Sequence, residues 1–194
     1  MRHKFQISSL YKGNLFKSIS DRRLVRKAKK GNKDAYGKLY LKHLDSIYRY
    51  IFFRVGQNTH EAEDLTEIVF FKAWEKIDNF NEKGYGFRAW IYKIAHNLVI
   101  DYYRDIKRLT SLDEGIPYEG KGIEEKAIED FEKDALMKAI EKLSSEQKEV
   151  ITMKYIEGFS NKEIGKVLNK GDDAVRALKS RALKKLRKLL SQND

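Results

Sequence analysis

The chain contains no cysteine and only one proline. The first absence excludes disulfides and thiolate zinc sites. The second, with few alternating β-branched runs, leaves little to break helices or to mark strands, so an almost wholly helical protein is expected. Histidine is scarce: His3, His43, His60 and His96 are scattered, with no metal-ligand spacing between any two. No glycine-rich phosphate loop and no nucleophile with a base partner can be assembled, so the sequence offers no enzymatic chemistry, no metal site and no cofactor site. No apolar run approaches the length of a membrane span, and the N-terminus lacks the apolar stretch of a secretory signal. The expectation is a cytoplasmic protein that does not insert into membranes. No internal repeat is present.

Charge is what the chain has in quantity. Forty basic side chains against 29 acidic ones give a net charge of +11, which favours a polyanionic partner. Its 194 residues allow one or two domains, and a hydrophobic content of 41% suffices for modest cores.

Residues 1–20 are basic and weakly patterned (Arg2, Lys4, Lys12, Lys17), and read as an extension: a solvated tail, or a supplementary contact. From Asp21 a helical period begins with Leu24, Val25 and Ala28. Gly31 is a helix stop and Asn32 a cap for the next helix. The block Arg22, Arg23, Arg26, Lys27, Lys29, Lys30 and Lys33 repels itself unless something acidic approaches, which suits a DNA backbone better than a merely solvated face. Ala35, Leu39, Tyr40, Ile47, Tyr48, Ile51 and Phe52 carry the apolar pattern to a helix end near Gly56, and a further helix starts at about Thr59.

That helix places Leu65, Val69, Phe70, Ala73, Trp74 and Ile77 on one stripe. Ile68 and Phe71 fall on the opposite face among Asp64, Glu67, Lys72 and Glu75, and an apolar pair rimmed by charge suits a protein partner. After the polar break at residues 81–86, Phe87, Ile91, Ile94, Leu98 and Tyr102 form the core stripe of another helix. Arg88, Tyr92, Lys93, His96 and Tyr103 fall roughly opposite. Rings beside cations suit unpaired bases, which offer a face to stack on and a phosphate to neutralise. Taken alone, Tyr92 and Tyr103 read equally well as half-buried surface tyrosines, and His96 as a surface residue.

The stretch Asp64-Leu-Thr-Glu-Ile-Val-Phe-Phe-Lys-Ala-Trp and the stretch Phe87-Arg-Ala-Trp-Ile-Tyr-Lys-Ile-Ala-His-Asn resemble region two of the extracytoplasmic-function sigma factors. These are the small two-domain members of the sigma-seventy family. Glu67 stands where that family usually has Gln, and Ile68 where it usually has an acid. The resemblance implies that the first motif grips the β′ coiled coil of core RNA polymerase, through Asp64, Glu67, Ile68, Phe71 and Glu75. It implies that the second motif and the preceding loop melt and read the promoter's minus-ten element. Asn81, Lys83, Tyr85, Arg88, Tyr92, Lys93, His96, Asn97 and Tyr103 are the expected contacts, the loop capturing a flipped base.

Residues 107–134 are rich in glycine and acid and read as a flexible linker that ends in a helix from about Glu124. Ser144 to Gln147 has capping-box spacing and opens a helix with Val150, Ile151 and Tyr155 inward, ended by Gly158. Ser160 to Glu163 is a second capping box, opening a helix with Ile164, Val167 and Leu168. After the turn at Asn169 to Gly171, a third helix runs to about Leu190 with Val175, Leu178, Ala182, Leu186 and Leu189 inward. This spacing is a helix-turn-helix. Outward on its last helix are Asp173, Arg176, Ala177, Ser180, Lys184 and Arg187, with Lys179 and Arg181 adding charge. Early outward residues would meet base edges and later cations phosphates. Asp173 suits a capping role or a bond from a cytosine amino group. The segment is similar to sigma region four, which implies reading of the minus-thirty-five element by Asp173, Arg176, Ala177, Lys179, Ser180, Arg181 and Lys184.

The whole therefore reads as an all-α chain of two small helical domains joined by a flexible linker. Its parts are an extension (1–20), a region-two bundle (21–106), an acidic linker (107–134) and a region-four helix-turn-helix (135–194). The expected partners are core polymerase through its β′ and β subunits, promoter DNA both duplex and single-stranded, and an anti-sigma factor. A stand-alone operator-binding regulator is the alternative, but it has no use for exposed Ile68 and Phe71. A helical adaptor that binds only proteins leaves two basic surfaces unexplained.

Overall fold

Eight α-helices, and no strand, make up the residues that the computed structural model describes: 20–81, 86–110 and 131–191, with backbone alone for 109–110 and 131–134. The N-terminal extension up to residue 19, loop positions 82–85 with the expected contacts Lys83 and Tyr85, linker positions 111–130 and positions 192–194 lie outside the described residues.

Helix α1 (Asp21–Ala28) buries Leu24, Val25 and Ala28. It stops at Gly31, whose φ of +80° is open to glycine at little cost. Asn32 then caps α2 (Lys33–Arg54), its side chain accepting from the Ala35 amide at 2.8 Å. Asn58 caps α3 (Thr59–Glu75) in the same way, taking the amides of His60 and Glu61. A 3₁₀ turn (Ile77–Asn79) leads towards α4 (Phe87–Thr110), which extends past the expected domain edge at 106. Helices α1 to α4 close around Leu39, Ile47, Ile51, Val69, Ile91 and Val99, each essentially without solvent exposure. Asp21 ties α1 to α2 through Lys42 at 2.7 Å and His43 at 3.0 Å.

The C-terminal part comprises α5 (Phe131–Glu141), α6 (Ser145–Ile151), α7 (Asn161–Leu168) and α8 (Asp172–Leu190). Both capping boxes form, with Ser144 and Gln147 on α6 and Ser160 and Glu163 on α7. One inward position departs from expectation: Tyr155 is 55% exposed, while Met153 is fully buried. The helix widens into a π turn over Thr152–Ile156, where the Glu157 amide bonds the Thr152 carbonyl at 3.0 Å. The wider turn shifts the helical register, taking Tyr155 out and bringing Glu157 in.

Ala139, Ile140, Leu143, Ile151, Ala182 and Leu186 form a local core between α5, α6 and α8. Val150, Met153, Phe159, Ile164 and Val167 instead merge with the core of α1 to α4. The helix-turn-helix unit thus packs directly on the N-terminal bundle, a contact that the linker reading does not anticipate.

Candidate nucleic-acid and polymerase interfaces

On α3, the core stripe Leu65, Val69, Phe70 and Ala73 is buried together with Ala62 and Thr66, and the opposite face is not. Asp64, Glu67, Ile68, Phe71 and Glu75 are all exposed, Ile68 at 39% and Phe71 at 63%. Phe71 edges a cleft of about 440 Å³ whose other walls include Tyr36, Tyr40, Phe70 and Trp74. Tyr36 donates to the Phe70 carbonyl and its ring packs on Trp74, so the cleft floor is fixed by bonds to α3 itself. An apolar side chain left out over an aromatic cleft with charge at its rim is a surface of the kind that suits a protein partner.

At the start of α4, a second cleft of about 540 Å³ lies between α1 and the residues Phe80, Asn81 and Gly86 to Arg88. Asp21, Arg22, Phe80, Asn81, Phe87 and Arg88 line it. Asn81 is exposed there, and Asn97 and Tyr103 are exposed further along α4. Arg88, Lys93 and His96 are half-buried.

Tyr92 corrects the helical-wheel assignment, being fully buried. The reason is the C-terminal unit, which lies across the face that the wheel leaves open. The Tyr92 hydroxyl shares its one proton between the Ser46 carbonyl at 3.1 Å and Glu157 Oε2 at 2.9 Å. Its ring meets Phe159 edge-on, with centroids 4.7 Å apart. Arg88 donates to the Glu157 carbonyl, and its guanidinium sits 4.0 Å from the centre of the Phe159 ring. Arg49 forks onto the Glu157 carboxylate at 3.1 and 3.4 Å. Nearby, Glu149 accepts from the Tyr50 hydroxyl at 2.6 Å and pairs with His96 Nδ1. Arg54, with its guanidinium 3.9 Å from Glu149, also donates to the carbonyl and hydroxyl oxygens of Ser145.

The electrostatics are set by this packing. Burial pushes the Tyr92 hydroxyl's pKa up, and the Glu157 charge adds to the effect. Burial and the Glu149 charge do the same to Tyr50. Burial alone would raise Glu149, but the His96 hydrogen bond and the Arg54 charge outweigh it and hold the carboxyl below its usual range.

The sequence reading passes over Glu149, Glu157, Arg49, Arg54 and Phe159. The signal for Glu149 is its register, one helical turn before the buried Met153 and so on the inward face of α6. Glu157 has no such signal, because the π turn that swings it inward is invisible to a 3.6-residue period.

Helix α8 presents Asp173, Arg176, Ala177, Ser180, Arg181, Lys184 and Arg187 to solvent, with Lys179 half-buried, while Val175, Leu178, Ala182 and Leu186 face the core. Its N-cap is Gly171, and no side chain caps it. Asp172 and Asp173 sit in the first turn, where they suit the helix dipole. Arg176 pairs with Asp172 at 2.7 Å but stays well exposed. The bend between α7 and α8 uses Asn169 in the left-handed region (φ 54°) and a close approach at Gly165. Among the described residues, no group of acidic or histidine side chains is placed to hold a metal ion, and no helix is long and apolar enough to cross a membrane.

Similarity to known proteins divides the chain in the same way. Residues 39–109 match the family "Sigma-70 region 2", and residues 133–186 match "Sigma-70, region 4". The chain is 33% identical over 180 residues to the ECF RNA polymerase sigma factor SigW of Bacillus subtilis, covering 86% of this chain and 94% of SigW. It is 34% identical over 171 residues to the ECF RNA polymerase sigma factor BldN of Streptomyces coelicolor, covering 86% of this chain but only 64% of BldN. In three dimensions it is similar to CnrH, solved in complex with the cytosolic domain of CnrY. That match has a TM-score of 0.69 and 27% identity, and covers 90% of this chain and 99% of that one. The paired helical units, the exposed helix-turn-helix and these similarities together make the chain a member of the sigma-70 family of transcription-initiation factors, in its ECF group.

Proposed function

We propose that this chain binds core RNA polymerase through α3, that α1–α4 read the minus-ten element, and that α8 reads the minus-thirty-five element. The polymerase contact is assigned to Asp64, Glu67, Ile68, Phe71 and Glu75, on the β′ coiled coil. Single-stranded minus-ten DNA is assigned to Arg88, Tyr92, Lys93, His96, Asn97 and Tyr103 on α4, together with Asn81, Lys83 and Tyr85 of the preceding loop. A base lifted from the duplex needs a walled pocket with edge hydrogen bonds, and the cleft between α1 and Asn81 is of that kind. The exposed early residues of α8 suit base edges in duplex DNA, and Lys179, Arg181 and Lys184 suit phosphates. The chain works by binding and positioning, in the cytoplasm, rather than as an enzyme. Residues 21–106 and 135–194 are the two working domains, tethered by 107–134. An anti-sigma protein is a further proposed partner, in keeping with the similarity to CnrH, which was solved with the cytosolic domain of CnrY.

The observation that carries this reading is Phe71, an aromatic side chain 63% exposed in the middle of a helix whose neighbouring face is core. A stand-alone operator-binding regulator has no use for it. Phe71→Glu should abolish detectable capture by core polymerase in a fluorescence-anisotropy titration while leaving the thermal melt unchanged. Undiminished capture by a folded Phe71→Glu protein would move the polymerase contact elsewhere.

A further inference from the structure

The groups that Glu149 and Glu157 bind belong to the proposed minus-ten face or border it: Arg88, Tyr92 and His96 on α4, with Arg49, Tyr50 and Arg54 on α2. The segment Glu157-Gly158-Phe159 has a particular shape on that face. Its carboxylate is held by the Arg49 fork and the Tyr92 hydroxyl. Two residues on, the Phe159 ring packs against the Tyr92 ring and beneath the Arg88 guanidinium. Gly158, at φ +70°, makes the bend that lets the acid and the ring reach the same cations. An anion joined by a short bend to a flat ring is also what a nucleotide offers as phosphate and base. Glu149 supplies a second anion further along α4, at His96.

We propose that this segment is an internal stand-in for single-stranded DNA. In the free chain the C-terminal unit closes on α4, occupies Arg88, Tyr92 and His96 of the minus-ten face, and has to leave before a promoter strand enters. The inference rests on the assignment of α4 as the minus-ten reader. The closed form masks one DNA-reading face only, since the outward residues of α8 stay exposed. The polar part of its hold is of a releasable kind, so that the shared apolar contacts of Val150, Met153 and Phe159 set the cost of opening. Charged pairs at an interface roughly break even against their solvation, so Glu149 and Glu157 lose little when both they and their partners are rehydrated. A strand with several phosphates then competes for the same cations. While closed, the chain binds such a strand with an affinity reduced by the fraction that is open.

The test uses the full chain, fluorescein-labelled single-stranded DNA 20-mers of random sequence, and hydroxyl-radical footprinting read by mass spectrometry. Two variants open the contact from opposite sides: Glu157→Gln removes the anion, and Arg49→Glu sets a like charge against it from a side chain that is 47% exposed and outside both cores. Each should raise modification of Tyr92 and Phe159, both fully buried in the closed form. Each should tighten DNA binding about tenfold at fixed salt, as expected from losing a charge-assisted bond. For Arg49→Glu, tighter DNA binding in a chain made more acidic has no simple electrostatic source. Added DNA should protect Tyr92 again and leave Phe159 reactive, and Arg88→Ala in the Glu157→Gln background should cancel the gain. Should Glu157→Gln fail to fold, Arg49→Glu carries the test. Rings that open with no gain in DNA binding would overturn the inference by removing the minus-ten assignment beneath it. An Arg88-dependent gain without opening would overturn the closed latch and leave that assignment standing.

Discussion

Asp21 gives a quantitative handle on how α1, with its basic block, is seated against the rest of the bundle. Burial alone would raise its carboxyl pKa, but the hydrogen bond and charge of His43, then those of Lys42, outweigh burial and lower it from 3.8 to about 2. At 1.36 kcal/mol per pH unit, that fall corresponds to roughly 2 kcal/mol of stability. The Asp21 side chain is 23% exposed and faces solvent on one edge, so screening reduces the effect to about 1 to 2 kcal/mol. Asp21→Asn keeps the shape and removes the charge. The variant should therefore melt about 2 to 8 °C below wild type at neutral pH, given the usual response of a chain this long. The sign of the pH dependence is fixed by the direction of the shift. A depressed carboxyl contributes fully above its unfolded value of 3.8, and its contribution is lost as pH falls towards about 2. Urea unfolding of both proteins, followed by circular dichroism from pH 7 down to pH 3, measures this directly. The gap in stability should be constant to about pH 5 and shrink below it. A gap that is absent at pH 7, or that does not narrow on acidification, would refute the account of how α1 is held.

Gly165→Ala should destabilise the helix-turn-helix by about 1 to 3 kcal/mol, an overpacking cost. The added Cβ would lie 2.6 Å from the Lys170 carbonyl oxygen, which is backbone in the bend and has no side-chain freedom to yield; a thermal melt equal to wild type would show that the bend is loose. Arg176→Ala should relax preference at one base pair of the upstream element by about 1 to 3 kcal/mol, the worth of a bidentate contact to guanine. Lys184→Ala should instead weaken binding to all sequences and flatten the salt dependence. Salt titrations of holoenzyme on matched and mismatched promoters separate the two, and identical effects would remove the distinction.

The helices were legible because their ends carry their own chemistry. Gly31, Asn32, Gly158, Ser144 and Ser160 each do locally what their residue type does best, and tertiary packing does not overrule them. Ile68 and Phe71 were legible for a related reason: α3 is a regular helix packed on one side, so a 3.6-residue wheel sorts its faces correctly. Tyr92 and Tyr155 were not. The surroundings of Tyr92 depend on a unit more than fifty residues away that covers α4, and no local period encodes that. Tyr155 sits in a π turn, which shifts the register without any distinctive residue to announce it. The union of the two helical units escaped for both reasons. Its polar half is Glu149 and Glu157, charged residues of the kind that usually read as surface.

The most direct measurement of the central claim is transcription in vitro. The purified chain is mixed with core RNA polymerase and a promoter library randomised at the minus-ten and minus-thirty-five positions, and the transcript starts are sequenced. The account predicts starts that appear only with both proteins, sharing one preferred sequence at each position, and lost with Phe71→Glu. Starts no more frequent than with core polymerase alone, together with tight sequence-specific duplex binding by the isolated chain, would contradict it.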